Sequence, residues 1–126
     1  QKEICRIVGA ETAKLHDAEI IHGDLTTSNM ILTSDGKRGD GISAISKSDE
    51  LKIFFIDFGL GFHSHKTEDK AVDLHLLKEA LEARHFTQWH ILFSEFLNGY
   101  ENSKNSDLVL QQLKKVEARG RYKEQH

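Results

Sequence analysis

The sequence of 126 residues contains no proline and one cysteine, Cys5. A single cysteine excludes an internal disulfide framework and is typical of a reducing cytosol or nucleus. No apolar run reaches the roughly 20 residues that a membrane-spanning helix needs. The net charge of −3 gives no whole-chain argument for a nucleic-acid or membrane-surface partner. The first residues form neither a signal peptide nor an initiator methionine, so we expect part of a longer protein.

Length and apolar patterning indicate one α+β domain. A chain of this length can bury roughly two thirds of the surface that it exposes when unfolded. Apolar residues with helical spacing alternate with short β-branched and aromatic runs. Residues 33–50 are rich in glycine, serine and charge, which predicts a flexible insertion. The predicted order is helix 3–17, strands 20–21, 30–32 and 53–56, and helices from residues 69, 89 and 108.

Residues 22–29, called the catalytic loop below, carry the first chemical motif. They read HGDLTTSN and match the H-x-D-L-x-x-x-N pattern of protein kinases. Asp24 is the candidate catalytic base, because a carboxylate there can orient a hydroxyl or a water and take its proton. Asn29 is a candidate magnesium ligand through its amide oxygen. The alternatives are a turn-forming aspartate and an Asx-turn asparagine.

A second motif, residues 57–59 (DFG), follows the apolar run 53–56. In kinases the aspartate of this motif binds the magnesium that bridges the ATP phosphates. Asp57 is therefore a candidate magnesium ligand, and the alternative is a residue that only turns the chain at the end of a strand. Together the two motifs are far more specific than either alone, and they predict a magnesium–ATP site.

His22 and Asp73 are two further candidates. His22 is included among the catalytic residues, although its place in the loop suits hydrogen-bonding support better than proton transfer. Asp73 lies among apolar neighbours such as Val72 and Leu74. A buried charge is costly unless it is paired or hydrogen-bonded. We therefore expect Asp73 to anchor the catalytic loop by accepting its backbone N–H groups, and an exposed helix face is the alternative.

Residues 114–126 form a candidate basic tail. Within residues 114–123 there are five basic residues, and Glu117 is the one acidic residue. Such a run can contact the phosphate backbone of a nucleic acid, and a solvated helix end is the alternative. The candidate RNA-contacting residues are Lys114, Lys115, Arg119, Arg121 and Lys123.

These motifs, taken in their order along the chain, resemble one family. The chain is similar to the small atypical Ser/Thr kinase subunit of the KEOPS complex, also called EKC, which is the PRPK family. The pieces TTS at 26–28 and EDK at 68–70 are more selective than the general kinase motifs. The matching segments are residues 22–29, 56–60, 68–74 and 116–121.

The resemblance implies a protein-kinase-like C-terminal lobe, mainly helical, with short antiparallel strands around the catalytic loop. It implies Asp24 as the catalytic aspartate, Asn29 and Asp57 as magnesium ligands for ATP, and Asp73 as the anchor of the loop. The implied activity is that of a Ser/Thr kinase and ATPase supporting threonylcarbamoyl modification of adenosine in tRNA. The implied partners are the complex's catalytic and small regulatory subunits, with tRNA at the basic tail, in the cytoplasm or nucleus.

Three departures from ordinary protein kinases limit the expected activity. Gly23 replaces the arginine that would pair with an activation-loop phosphate, so that switch is not expected. Only residues 60–72 separate Gly59 from Asp73, and without proline no A-P-E motif exists. This short segment favours ATP hydrolysis, or phosphorylation of a few partners. The glycine-rich loop, lysine and glutamate of an N-terminal lobe do not precede Gln1, so we expect these 126 residues alone to transfer no phosphoryl group.

Two rival functions stay open from the sequence. The HGDL piece also suits small-molecule phosphotransferases of the aminoglycoside or choline kinase type, although those enzymes have a larger helical subdomain after the metal-binding aspartate. The other rival is a non-catalytic kinase-like assembly adaptor. The presence of Asp24, Asn29 and Asp57 argues against the adaptor, because an adaptor has no need of metal ligands.

Overall fold

The structure is a computed structural model that describes residues 1–34 and 51–124. Most of the predicted insertion, residues 35–50, and the last two residues of the tail lie outside this part. The described chain is mainly helical with short antiparallel strands, as the sequence predicts. Its elements are α1 (Lys2–Asp17), β1 (Ile20–Ile21), β2 (Met30–Ser34), β3 (Leu51–Phe55), β4 (Phe62–His63), α2 (Thr67–Arg84), α3 (Trp89–Tyr100) and α4 (Ser106–Glu124).

The strands form two separate antiparallel pairs that flank the catalytic loop. β1 pairs with β4, and β2 pairs with β3 in a register that sets Met30 opposite Phe55. The catalytic loop therefore leaves one pair and enters the other. β2 continues to Ser34, so the boundary of the predicted insertion at residue 33 is corrected by two residues.

The apolar run 53–56, which suggests a buried strand, is buried on one face only. Ile53 is buried, but Phe54 is 52% exposed. Successive side chains of a strand point to opposite faces, so one face of this two-stranded sheet packs on the helices and the other is open. Ile56 lies beyond the end of β3 and is also exposed.

α1 and α3 pack with their backbones in direct contact at two glycines. A Cβ atom on Gly9 would lie 1.9 Å from the carbonyl oxygen of Phe96, and one on Gly99 would lie 1.9 Å from that of Arg6. Glycine allows this approach because it has no Cβ. The contact brings the C-terminal end of α3, with Tyr100, against α1.

α2 supplies much of the hydrophobic core. Burying each of the core leucines of this helix contributes about 1.5–3 kcal/mol. α4 packs against α2, where ion pairs join Lys78 to Glu117 and Arg119 to Glu68. Of the helices within residues 1–34 and 51–124, none is long and apolar enough to cross a membrane. The buried apolar residues of α2 are Ala71, Leu74, Leu77 and Leu81.

A turn connects the end of α1 to β1, which leads into the catalytic loop. Glu19 follows the helix with φ 63°, the left-handed conformation that often ends a helix. Its carbonyl accepts the N–H of Ser64, just after β4, at 2.8 Å. This bond holds the segment after the DFG motif against the entrance of the catalytic loop.

Candidate active site

His22 ties the catalytic loop to the end of β3. Its side chain is fully buried, and Nε2 donates a hydrogen bond to the carbonyl of Ile56 at 2.7 Å. Nδ1 accepts the backbone N–H of Asp24 at 3.1 Å. A carbonyl only accepts and an amide only donates, so these partners define the neutral tautomer with its proton on Nε2. With both ring nitrogens engaged, the geometry favours the supporting role over proton transfer.

Asn29 and Asp24 are in direct contact. Asn29 Nδ2 donates to the carbonyl of Asp24 at 2.9 Å and to its carboxylate Oδ2 at 3.1 Å. Both partners are acceptors, so the NH₂ group faces Asp24 and Oδ1 takes no part in either bond. The amide oxygen of Asn29 is thus left for another partner, beside the carboxylate of Asp24.

Backbone hydrogen bonds place Asp57 next to this pair. The N–H of Ile56 donates to the carbonyl of Asn29 at 2.9 Å, and the carbonyl of Ile56 accepts from His22. The ring of Phe58 lies 4.5 Å from that of His22. The structure therefore brings the DFG motif and the catalytic loop together through the backbone N–H and carbonyl of one residue, Ile56.

Asp57 has an uncommon backbone conformation. Its φ of 59° and ψ of 63° lie in the left-handed region, where few residues other than glycine are found. Such strain is concentrated at functional sites. Asp57 is also exposed, so its carboxylate is accessible to a ligand.

Asp73 is fully buried and is bonded to the catalytic loop. Its Oδ2 accepts the backbone N–H of His22 at 2.9 Å, and its Oδ1 accepts that of Gly23 at 3.0 Å. The exposed-face alternative is excluded, because Asp73 has 0% exposure while its neighbour Val72 has 40%. α2 thus holds the first residues of the loop through one side chain.

Two polar residues of this network were missed by sequence reasoning. His16 Nε2 lies 2.9 Å from Asp73 Oδ2, and His16 Nδ1 lies 2.7 Å from the hydroxyl of Tyr100. Both side chains are fully buried. The available signal was weak: each is a polar residue within an apolar helix pattern, and 84 positions separate them.

The oxygen donors at the site fit a magnesium–nucleotide complex. Two carboxylates, of Asp24 and Asp57, and the amide oxygen of Asn29 are hard ligands, and magnesium usually takes one or two carboxylates together with substrate phosphates and waters. These three donors suit a divalent metal that also takes phosphate oxygens as ligands. Across residues 1–34 and 51–124 no group of three or more His, Cys, Asp or Glu side chains could hold a metal.

The candidate RNA-contacting residues are only partly described. Lys114 and Lys115 are exposed on α4, whereas Arg119 forms an ion pair with Glu68. The side chains of Arg121 and Lys123 lie outside the part of the chain whose side chains the structure describes.

Gly23 cannot be replaced by a larger residue without a clash. Its φ is +87°, and a Cβ there would lie 2.2 Å from the carbonyl oxygen of Leu60. We expect Gly23→Ala to lower the free energy of unfolding by about 2 kcal/mol or more, since backbone strain and overlap add. Chemical denaturation measures the change.

Gly59→Ala is the matched control for this prediction. A Cβ on Gly59 meets only Asp57 Oδ1, at an ordinary 3.6 Å. Its cost should stay within about 0.5 kcal/mol, as for most surface substitutions. Equal stability of the two variants would contradict the packing of Gly23 against Leu60.

Fold and site together define a kinase-type lobe, and sequence comparison agrees. The chain belongs to the lipopolysaccharide kinase (Kdo/WaaP) family, whose profile matches residues 1–100. This confirms the kinase-like α+β fold that the motifs predict.

The similar curated proteins carry more particular names. The chain is 41% identical, over 97% of its length, to the KEOPS complex subunit Bud32 of Pyrococcus abyssi, of which it covers 50%. It is 39% identical, over 98% of its length, to a probable serine/threonine-protein kinase BUD32 homolog of Archaeoglobus fulgidus, of which it covers 54%. It is also 44% identical over 91% of its length to a probable bifunctional tRNA threonylcarbamoyladenosine biosynthesis protein of Methanobrevibacter smithii, covering 19% of that protein.

These relatives confirm the resemblance to the KEOPS kinase subunit. The chain spans about half the length of the first two and about a fifth of the third.

Proposed function

We propose that the protein containing this chain is an atypical Ser/Thr kinase and ATPase of a KEOPS/EKC-type complex, supporting threonylcarbamoyladenosine modification of tRNA. The observation that supports the proposal is that backbone atoms of Ile56 join the catalytic loop, which carries Asp24 and Asn29, to the DFG motif, which carries Asp57. The names of the similar proteins support the choice of complex and pathway.

Each residue of the site has a role in this proposal. Asp24 orients the attacking hydroxyl or water and accepts its proton. Asn29 and Asp57 hold magnesium, which when bound neutralises charge on the ATP phosphates. Asp73 anchors the backbone of the loop, and His22 fixes the loop to the end of β3. No group besides Asp24 is needed to move a proton.

The proposed domain is a single kinase C-terminal lobe over residues 1–126, with a basic tail at 114–126. The chain spans about half the length of the similar KEOPS subunit and kinase homolog, so the activity is proposed for the whole protein. Its proposed partners are the subunit that modifies tRNA and a small regulatory subunit, with tRNA near Lys114 and Lys115. The proposed location is the cytoplasm, the nucleus or both.

The segment after the DFG motif supports hydrolysis or a narrow choice of protein substrates. Ser64 Oγ donates to Asp69 Oδ2 at 2.6 Å and accepts the N–H of Lys66 at 3.0 Å, which leads the chain directly into α2. The chain reaches Asp73 within this tight turn and the start of the helix. Little main chain is therefore available to form a docking platform for an extended peptide.

Nucleotide binding by the complete protein tests the proposal. We expect magnesium to strengthen ADP binding, and Asp57→Asn to weaken binding in magnesium by at least about tenfold, because one metal ligand loses its charge. Without magnesium the variant and the native protein should bind ADP equally. Isothermal titration calorimetry measures both affinities.

Asp69→Asn is the control, since it changes a carboxylate on α2 that contacts Ser64 and no residue of the catalytic loop. If the ADP affinity of the native protein does not depend on magnesium, the proposed site is contradicted.

A turnover assay that compares amino sugars and choline with protein and water as acceptors tests the rival small-molecule phosphotransferase function. Efficient transfer to a soluble small molecule would favour the rival.

A further inference from the structure

Tyr100 begins a chain of buried hydrogen bonds that ends at the catalytic loop. Its hydroxyl lies 2.7 Å from His16 Nδ1, and His16 Nε2 lies 2.9 Å from Asp73 Oδ2. Asp73 in turn accepts the two backbone N–H groups at the start of the loop. Tyr100, His16 and Asp73 are all fully buried, so water does not supply substitutes for these bonds.

The hydroxyl of Tyr100 and the carboxylate of Asp73 together favour one tautomer of His16. Burial raises the pKa of Tyr100 well above its usual value, so the phenol keeps its proton. It can then donate to Nδ1, which leaves the proton of a neutral His16 on Nε2. That proton points at the carboxylate of Asp73. The opposite tautomer would set a nitrogen lone pair against Asp73 Oδ2, which is unfavourable.

Packing holds the ring of Tyr100 in place. The rings of His16 and Tyr100 meet edge to face at 5.5 Å, and Phe96 stacks on Tyr100 at 6.1 Å. The neighbouring residue Gly99 is in contact with the backbone of α1, so α3 has no room to shift toward it. The orientation of the hydroxyl is therefore fixed by the α1–α3 contact.

We propose that Tyr100 is a positioning residue for the catalytic loop and acts through His16 and Asp73. Its hydroxyl donates to His16 Nδ1 and so holds the ring with Nε2 directed at Asp73, and Asp73 is thereby held in the orientation that accepts the N–H groups of His22 and Gly23. The link to catalysis rests on the function proposed above, whereas the link to loop geometry does not.

Tyr100→Phe tests the proposal, because it keeps the packed ring and removes only the hydroxyl. We expect the ¹⁵N shift of His16 Nδ1 to change, because this nitrogen loses its hydrogen bond from Tyr100. We also expect the amide protons of His22 and Gly23 to exchange about tenfold faster, the effect of weakening one buried hydrogen bond of a charged network. Both are measured by nuclear magnetic resonance on the complete protein.

Asn102→Ala is the matched control. Asn102 lies two residues after Tyr100 and its Nδ2 donates to the carbonyl of Gly99 at 2.8 Å, so its loss also removes a hydrogen bond from this region. It leaves the contact between the Tyr100 hydroxyl and His16 intact. We expect native ¹⁵N shifts for the His16 ring, with exchange at His22 and Gly23 accelerated no more than that of other buried amides.

The comparison separates positioning from general stability. An internal standard is the exchange of Val109 and Leu113 in α4, which contributes no residue to the hydrogen bonds of the network. Equal acceleration of these and the loop amides in Tyr100→Phe, or an unchanged ¹⁵N shift of His16 Nδ1, would overturn the proposal. Turnover by Tyr100→Phe should fall with magnesium–ADP affinity preserved. If the native protein neither binds nor hydrolyses ATP, the proposed function fails while the resonance result still decides the role of Tyr100.

Discussion

Asp24→Asn is expected to reduce ATP turnover by the complete protein about a thousandfold, within the range for loss of a general base. Asparagine has nearly the same shape as aspartate, and its amide oxygen can still accept from Asn29 Nδ2, as Asp24 Oδ2 does now. The loop should therefore keep its structure and lose only the group that takes the proton. Steady-state kinetics should show a lower kcat with an unchanged KM for ATP.

Two further measurements make this prediction specific. Magnesium–ADP affinity should be retained in Asp24→Asn, in contrast to Asp57→Asn, where it falls. Asp69→Asn again controls for a lost carboxylate and should keep native turnover. Native turnover in Asp24→Asn would contradict the catalytic role of Asp24. If Asp57→Asn also kept native turnover, the adaptor function would be favoured.

Asp73→Ala is expected to have the largest effect on stability, about 3–5 kcal/mol, the cost of removing one partner from a buried charged network. The substitution leaves the N–H groups of His22 and Gly23 and the Nε2–H of His16 without their acceptor. Buried donors without partners carry a desolvation cost that packing does not recover. Denaturant-induced unfolding of the complete protein measures the loss.

Asp69→Ala serves as the comparison, because it removes a partly exposed carboxylate from the same helix. Its cost should be about 1 kcal/mol or less, as for exposed polar contacts. Should Asp73→Ala prove no more destabilising than Asp69→Ala, the buried network would not be what holds the catalytic loop.

The chemical residues could be predicted from the sequence because each lies within a short motif. Asp24 and Asn29 are five positions apart in one loop, and Asp57 ends a recognisable strand. The reasoning for Asp73 was different: an aspartate surrounded by leucine and valine in a helix needs hydrogen-bond donors. Local patterns and the cost of burying charge were sufficient for these four positions.

Other features depend on contacts between distant segments and could not be predicted. β4 has only two residues, both exposed, and exists because it pairs with β1. The open face at Phe54 follows from β2 and β3 forming a sheet of their own. The bond from Tyr100 to His16 depends on how closely α1 and α3 approach, which is set by Gly9 and Gly99 together.

The backbone N–H and carbonyl of Ile56 join the catalytic loop to the DFG motif, while the side chain of Ile56 is exposed. Many side chains are therefore compatible with this junction over evolution, and variability at position 56 would say nothing against its importance. Proline is the exception, because it has no N–H to donate to Asn29. A survey of natural variants should find this position chemically diverse yet free of proline.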